Sequence, residues 1–208
     1  MAGRDRRPGL VTLDVEGVLL PEIWIAVAER TGIDELRRTT RDEPDYDTLM
    51  RYRLGLLAEH GLTMSAISDV IGGLDPLPGA VEFLDDLRAR TQVILLSDTF
   101  AEFARPLMPR LGWPTIFCHD LRVEDDRIVD YRLRMADQKR HSVIAFQSLG
   151  YRVAAAGDSY NDTSMLLAAE AGFLFHAPPN VRAEFPQLPA FDDYAELSAA
   201  LLAALAPG

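Results

Sequence analysis

The residues able to do chemistry fall in four places: Asp14-Val15-Glu16-Gly17-Val18, Ser97-Asp98-Thr99, Lys139, and Gly157-Asp158-Ser159-Tyr160-Asn161-Asp162. Each of the three longer stretches follows directly on an apolar run that reads as a strand, and in a doubly wound sheet ligands bind beyond the carboxyl ends of the strands. Asp14, Glu16, Asp158 and Asp162 would therefore meet Lys139 and Ser97 at one edge of the sheet. Such a group of carboxylates repels itself unless a hard cation neutralises it, and Mg²⁺ with oxygen ligands is the natural choice. The combination points to metal-assisted phosphoryl chemistry.

Each element also has an ordinary reading. An Asp at a strand end is commonly a turn former, Lys139 taken alone is a solvated helix residue, and Ser97 and Asn161 suit helix N-caps. Asp158 to Asp162 taken alone is an Asx-rich loop. Their joint appearance, in this order and after separate strands, argues for the chemical reading.

The elements that must position these residues are legible as an alternation. Leu10 to Asp14, Gln92 to Ser97, Thr115 to Cys118, Arg152 to Gly157 and Gly172 to His176 read as strands. Segments of helical period lie between most of them, such as Val81, Leu84, Asp85 and Leu87, and Val143, Ile144, Phe146 and Leu149. This predicts an α/β fold, a Rossmann-like parallel sheet with helices on both faces. Leu121 to Val123 and Arg127 to Leu133, joined by the acidic turn Glu124 to Asp126, predict a small hairpin beside it. Pro106 and Pro109 predict a short or kinked helix after the second strand.

The gap from Glu16 to Val93 is too long for a simple crossover and predicts an insertion. A helix runs from Pro21 to Arg30 and stops at Thr31-Gly32. A polar stretch, Asp34 to Asp45, leads to a second helix over Tyr46 to His60, closed by Gly61. A third spans Ser65 to Ile71, and a helix over Gly79 to Arg90 returns to the sheet. The expected organisation is a core of residues 1–20 and 80–208 with a helical cap of residues 21–79 over the strand ends.

These residues resemble the haloacid dehalogenase-like superfamily of aspartate-nucleophile phosphohydrolases, over nearly the whole chain. Asp14-Val15-Glu16-Gly17-Val18 looks like the first motif of that family, Ser97 matches the second, Lys139 the third, and Gly157 to Asp162 the fourth; the insertion resembles a type 1 cap. Within the superfamily the chain is similar to phosphoserine phosphatases, and especially to the subgroup that also acts as homoserine phosphotransferase. Glu16 to Trp24, Thr40 to Asp47, Leu96 to Phe100 and Ala155 to Asp162 carry that likeness. Glu16 stands where the wider family has Asp, and Asp98-Thr99 replace the usual glycines after the serine; both departures fit the subgroup.

The resemblance implies a Mg²⁺-dependent enzyme acting on O-phospho-L-serine, with L-homoserine as a second acceptor. Asp14 would attack phosphorus to give an aspartyl-phosphate, dividing one hard transfer into two easier ones. Mg²⁺ would sit on Asp14, Asp158 and, as the resemblance implies, the backbone carbonyl of Glu16. Glu16 would serve as general acid and then base, which requires a pKa above its ordinary value. Lys139 and Ser97 would hold phosphoryl oxygens. Asp162 would support the metal site from behind, and Asn161 would contact phosphate or substrate. Phosphatases of another small phosphomonoester, or a non-catalytic sensor of a phosphometabolite, share the fold; the intact reactive set argues against the sensor.

Specificity falls to the cap. On the second cap helix Leu49, Arg53, Leu56 and Leu57 share one face and Arg51 lies opposite. An arginine on an apolar face either snorkels, pairs internally, or grips the carboxylate of an amino-acid phosphate. Glu22 is either an acid favoured in a first helical turn or the partner of the substrate ammonium. Asp98 is a further candidate for substrate contact. His60, His119, His141 and His176 lack paired ligand spacing and read as surface, capping or core residues. Trp24 and Trp113 read as packing residues, and Asp42-Glu43-Pro44-Asp45 as a solvated turn.

Composition sets outer bounds. The chain has 208 residues, a formal charge of −11 and 48% apolar residues, which excludes a disordered chain. The acidic balance argues against nucleic-acid or anionic-membrane binding. The single cysteine, Cys118, excludes a disulfide framework, reads as a small buried hydrophobe, and suits a cytoplasmic enzyme. Apolar runs fall short of the roughly 20 residues a membrane span needs, and Met1 to Gly9 read as a disordered leader.

Overall fold

The computed structural model describes residues 7–39, 42–43 and 45–206. Most of the expected leader thus lies outside the described residues, but Gly9 already opens the first strand and the Pro8 carbonyl accepts from Arg152 N–H.

Seven strands form one sheet in the order β4-β3-β2-β1-β5-β6-β7. They are β1 (Gly9–Leu13), β2 (Gln92–Phe100), β3 (Ile116–Glu124), β4 (Arg127–Arg132), β5 (Arg152–Gly157), β6 (Ala171–Phe175) and β7 (Ala190–Phe191). All neighbours pair in parallel except β3 and β4, the expected hairpin. Period-2 alternation sends Val11 and Leu13 of β1 into one core and Leu10 into the other, and divides β5 the same way, Ala154 and Ala156 against Val153 and Ala155. Two apolar layers, one on each face, make the sheet the buried centre of an α/β fold.

The helices are α1 (Ile23–Thr31), α2 (Tyr46–Glu59), α3 (Met64–Gly72), α4 (Ala80–Arg90), α5 (Ala101–Ala104), α6 (Gln138–Ser148), α7 (Thr163–Ala168), α8 (Pro179–Glu184) and α9 (Tyr194–Leu205). α1 stops because Gly32 takes a left-handed conformation and returns its N–H to Ala28 O. Asp45 caps α2 through Thr48 N–H, so this member of the acidic run is a structural cap. The polar stretch before it contains a 3₁₀ turn, Asp34–Arg37, pinned by buried Leu36. After β2 the prolines leave only α5 and a 3₁₀ turn, Met108–Leu111.

α1 to α3 lie between β1 and β2 in the chain, and the β3–β4 hairpin clasps α2 and α3. Arg51 of α2 bonds Asp130 at 2.8 Å, Tyr131 donates to Asp47, and Asp126 in the hairpin turn accepts from Ser65 N–H at 2.9 Å. The expected helix faces hold: Leu49, Arg53, Leu56 and Leu57 are buried.

Three expectations need correction. Trp113 does not pack; it is 67% exposed, because left-handed Gly112 and Trp113 itself (φ 67° and 53°) turn the chain and throw the ring outward. Ile144 and Leu149, assigned to the apolar face of α6, are both exposed, Leu149 lying just past the helix end. Cys118 is only half-buried, since β3 is covered incompletely near the hairpin. α9, capped by Asp193 and packed through Leu197 and Leu201, was not foreseen. Among the described residues no helix is long and apolar enough to cross a membrane.

Candidate active site

β1 lies between β2 and β5, so whatever follows it emerges at the middle of the sheet edge. Asp14 extends the pairing by one bond, its N–H donating to Ala156 O at 3.0 Å, which places its carboxylate beside the residues that follow β5. The chain then folds back at once. Val15 O accepts from the N–H groups of Leu19 and Leu20, and Gly17 N–H donates to Leu20 O. Gly17 has φ +77°, and a Cβ there would stand 2.5 Å from the Asp158 carboxylate. Only glycine lets this turn and that carboxylate come so close.

After β5, Ser159 and Asp162 form a reciprocal capping box. Asp162 is 0% exposed. One of its oxygens accepts from the N–H groups of Asp158 and Ser159 at 3.0 and 3.1 Å, and the other from Lys139 at 2.8 Å. Gly157 is required for this, since a Cβ would lie 2.4 Å from the Asp162 carboxyl carbon. Lys139, in the first turn of α6 and 2% exposed, also bonds Asp14 Oδ1 at 2.7 Å and lies 3.6 Å from Asp98. Burial opposes the charge on Lys139, but Asp14, Asp162 and Asp98 outweigh it and hold its pKa well above the ordinary value.

Ser97 and Asp98 are consecutive in β2, and in a regular strand they would face opposite sides. Both line the same cavity, because β2 bulges there: Leu96 is opposite Phe117 while Phe100 is opposite His119. Thr99 N–H bonds Ser97 Oγ and Gln138 donates to Ser97 O, fixing the bulge.

The cavity, about 330 Å³, brings together Asp14, Glu16, Glu22, Arg53, Ser97, Asp98, Lys139, Asp158 and Asn161, every residue singled out from the sequence except Asp162, which lies beneath. Glu16 accepts from Ile23 N–H at 2.9 Å. Burial and the nearby Glu22 push its pKa up to about 7, against the pull of that bond and of Arg53. Asp158 is likewise pushed up to about 7 by burial, Asp162 and Glu22, with Lys139 opposing. Burial and Asp162 also raise Asp14, with Lys139 opposing.

A metal fits this electrostatic frame. Oxygens of Asp14, Asp158 and Asp162 lie within 4.8 Å of one another. Both Asp162 oxygens already have donors, which leaves Asp14 and Asp158 to face a cation. Asp14 and Asp158 both resist ionisation here, and a hard divalent ion would relieve them.

Arg53 differs from buried Lys139. It is 6% exposed, yet among the described residues it has no ion pair. Its guanidinium bonds the Arg38 carbonyl at 2.7 Å, and its buried Nε has no partner. Glu22, at the N-terminus of α1, is exposed to the same cavity with no capping bond. Two residues near the site escaped the sequence reading, Gln138 and Arg134, both within five residues of Lys139 in the chain. His119, read as a surface, capping or core residue, is buried beside the site, and nothing local marks it as a neighbour of Asp98.

Comparison with known proteins agrees with this geometry. Residues 9–170 match the haloacid dehalogenase-like hydrolase family. The phosphoserine phosphatase ThrH of Pseudomonas aeruginosa is 62% identical over 196 residues, which cover 94% of this chain and 96% of that protein. A phosphoserine phosphatase of Pseudomonas syringae pv. tomato is 61% identical over 189 residues, 90% of this chain and 80% of that one. Among solved structures, a phospho-aspartyl intermediate analogue of phosphoserine phosphatase superposes with a TM-score of 0.77 at 20% identity, over 94% of this chain and 99% of that one. At that identity the likeness is one of fold.

Proposed function

The chain belongs to the haloacid dehalogenase-like hydrolases, and from that premise we propose that it is a cytoplasmic phosphoserine phosphatase that works through an aspartyl-phosphate on Asp14 and can pass the phosphoryl group to homoserine. The observation that carries the substrate is Arg53, a buried cation without a carboxylate partner among the described residues, opening on the same cavity as Asp14. A buried charge is costly unless something pairs with it. The carboxylate of an amino-acid phosphate supplies that pair, with Glu22 receiving the ammonium.

Asp14 attacks phosphorus and the serine hydroxyl leaves. Glu16, with its pKa near neutrality, gives that hydroxyl its proton and then takes one from the incoming acceptor. Lys139 and the Ser97 hydroxyl bind phosphoryl oxygens, and Asn161 and Asp98 border the transferring group. Asp14, Asp158 and the backbone carbonyl of Glu16 would hold Mg²⁺, which would supply the positive charge needed for two anions to meet. Asp162 aims Lys139 rather than touching substrate. Residues 21–79 act as the cap that carries Glu22 and Arg53 over the core of residues 1–20 and 80–208. L-Homoserine offers the same ammonium and carboxylate with its hydroxyl one methylene further out, so it can occupy the vacated seat and accept the phosphoryl group in place of water.

The test is turnover of O-phospho-L-serine beside other phosphomonoesters, with and without Mg²⁺ and L-homoserine, following free phosphate and phosphohomoserine. Preference for phosphoserine with diversion by homoserine supports the reading. Phosphate release without that preference overturns the substrate, and absence of turnover overturns the chemistry.

A further inference from the structure

Asp98 is a wall between two cavities. One is the active site; the other, about 310 Å³, shares Tyr46, Asp98, Lys139 and Asn161 with it and reaches back to His119 and Gln138. Packing therefore holds the Asp98 carboxylate poorly, and its side chain is 32% exposed. Polar contacts hold it instead, and they divide by oxygen. Oδ2 faces the active site, accepting from Asn161 at 2.9 Å and lying 3.6 Å from Lys139. Oδ1 faces away, with Gln138 Nε2 at 3.3 Å and His119 Nε2 at 3.6 Å. Burial works against the ionised form, yet Lys139, His119, Asn161 and Gln138 hold Asp98 well below the usual carboxylate range.

His119 is buried on β3 opposite Phe100, at the far end of the β2 bulge that presents Ser97 and Asp98. Its ring is not free to choose a tautomer. Nδ1 accepts the backbone N–H of Arg134 at 3.1 Å, so Nδ1 carries no proton and the ring hydrogen resides on Nε2, the atom turned toward Asp98. The Arg134 side chain extends the same frame, bonding Gln138 Oε1 at 2.9 Å and Ser142 at 3.3 Å. Gln138, its oxygen thus occupied, can only present its amide hydrogens to Ser97 O and Asp98.

We propose that His119 is a positioning residue: its Nε2–H, fixed by the Arg134 backbone, holds Asp98 so that Asp98 can aim Asn161 and Lys139 at the transferring phosphoryl group. The proposal rests on the phosphatase reading for its kinetic consequence, and on geometry alone for the tautomer. His119 touches neither substrate nor metal site; it acts through Asp98.

Two measurements test it. Long-range ¹H–¹⁵N spectra of the wild-type protein at mildly alkaline pH should show His119 with Nε2 protonated and Nδ1 bare; the opposite tautomer overturns the proposal whatever the enzyme does. In kinetics, His119→Leu should lower kcat at least about tenfold with KM for the phosphomonoester little changed, because misplacing a reactive group costs rate. His119→Gln, whose amide reaches the place of Nε2, should restore kcat to within about threefold, whereas His119→Asn, which reaches only the place of Nδ1, should not. In an Asp98→Ala background the His119→Leu loss should vanish, as coupling through one partner requires. Independent, multiplying losses, or equal rescue by Gln and Asn, would mark a merely structural role and overturn the proposal. If His119→Leu fails to fold, the Gln and Asn pair still decides. Should the wild type hydrolyse no phosphomonoester, the phosphatase reading fails, while the tautomer is still read directly.

Discussion

The guanidinium carbon of Arg53 stands 4.6 Å from the centroid of the Trp24 ring, so the buried cation is stacked on an aromatic face rather than paired with an acid. Burial lowers its pKa to about 10, against Tyr46, Glu16 and Glu22, which pull it back up. On the proposed reading such a charge is a cost carried for binding. Arg53→Leu should therefore raise KM for phosphoserine about 100-fold or more, while stability in urea stays level or rises by about 1 kcal/mol. Arg53→Lys should recover little, because an ammonium cannot reproduce the planar fork. Steady-state kinetics and urea unfolding check both halves; an unchanged KM would place carboxylate recognition elsewhere.

Asp14→Asn removes the carboxylate proposed as nucleophile but keeps the size and most of the hydrogen bonding of the residue. Phosphate release should fall by about 10³-fold or more, with substrate still bound within about tenfold of wild type as read by calorimetry. Turnover near the wild-type rate would remove Asp14 from the mechanism. Chelation should likewise abolish wild-type turnover, and added Mg²⁺ should restore it and raise the melting temperature by relieving Asp14 and Asp158.

Much of this was legible because phosphoryl chemistry is written at strand ends. Asp14, Ser97 and Asp158 each follow an apolar run, and a parallel sheet brings such ends together whatever lies between them. Arg53 stood out because it broke an apolar helical face. What was not legible depends on pairing across strands. The β2 bulge that turns Ser97 and Asp98 to one side exists only in the register with β3, and His119 joins the site through that register alone. Exposed Trp113 was misread for a related reason: the left-handed turn at Gly112 that ejects it is set by the fold. α9 did carry a local signal, Asp193 three residues before Glu196 and Leu197 four before Leu201, in a helix so rich in alanine that its apolar stripe is faint.

Glu16 gives a pH dependence of known sign. Its ordinary value is 4.5 and burial with Glu22 raises it to about 7 in the folded chain. Between those values the folded state holds a proton that the unfolded state has released, so this stabilisation is complete below about 4.5 and is lost as pH rises through about 7. In chelator-treated protein, wild type should lose stability relative to Glu16→Gln across that window. Asp158 titrates with the same sign in both proteins and drops out of the difference. Parallel curves would mean that Glu16 is not perturbed. The same variant should lose about 10²-fold or more in kcat, having no proton to give or take.

Gly17 ties the turn after β1 to the loop after β5. Its φ of +77° is costly for any residue with a side chain, and a Cβ would stand 2.5 Å from both the carboxyl carbon and Oδ2 of Asp158. The contact is with a carboxylate anchored in a short loop, so relief requires Asp158 to turn away from Asp14. Gly17→Ala should thus cost about 1–3 kcal/mol of stability and raise the Mg²⁺ concentration needed for half-maximal activity well beyond what the stability loss explains. Gly61→Ala is the control: φ there is +63° but nothing lies within 4 Å of the added carbon, so it should carry the backbone cost without the metal effect. If the two variants show the same Mg²⁺ requirement, the approach of Gly17 to Asp158 is not what shapes the metal site.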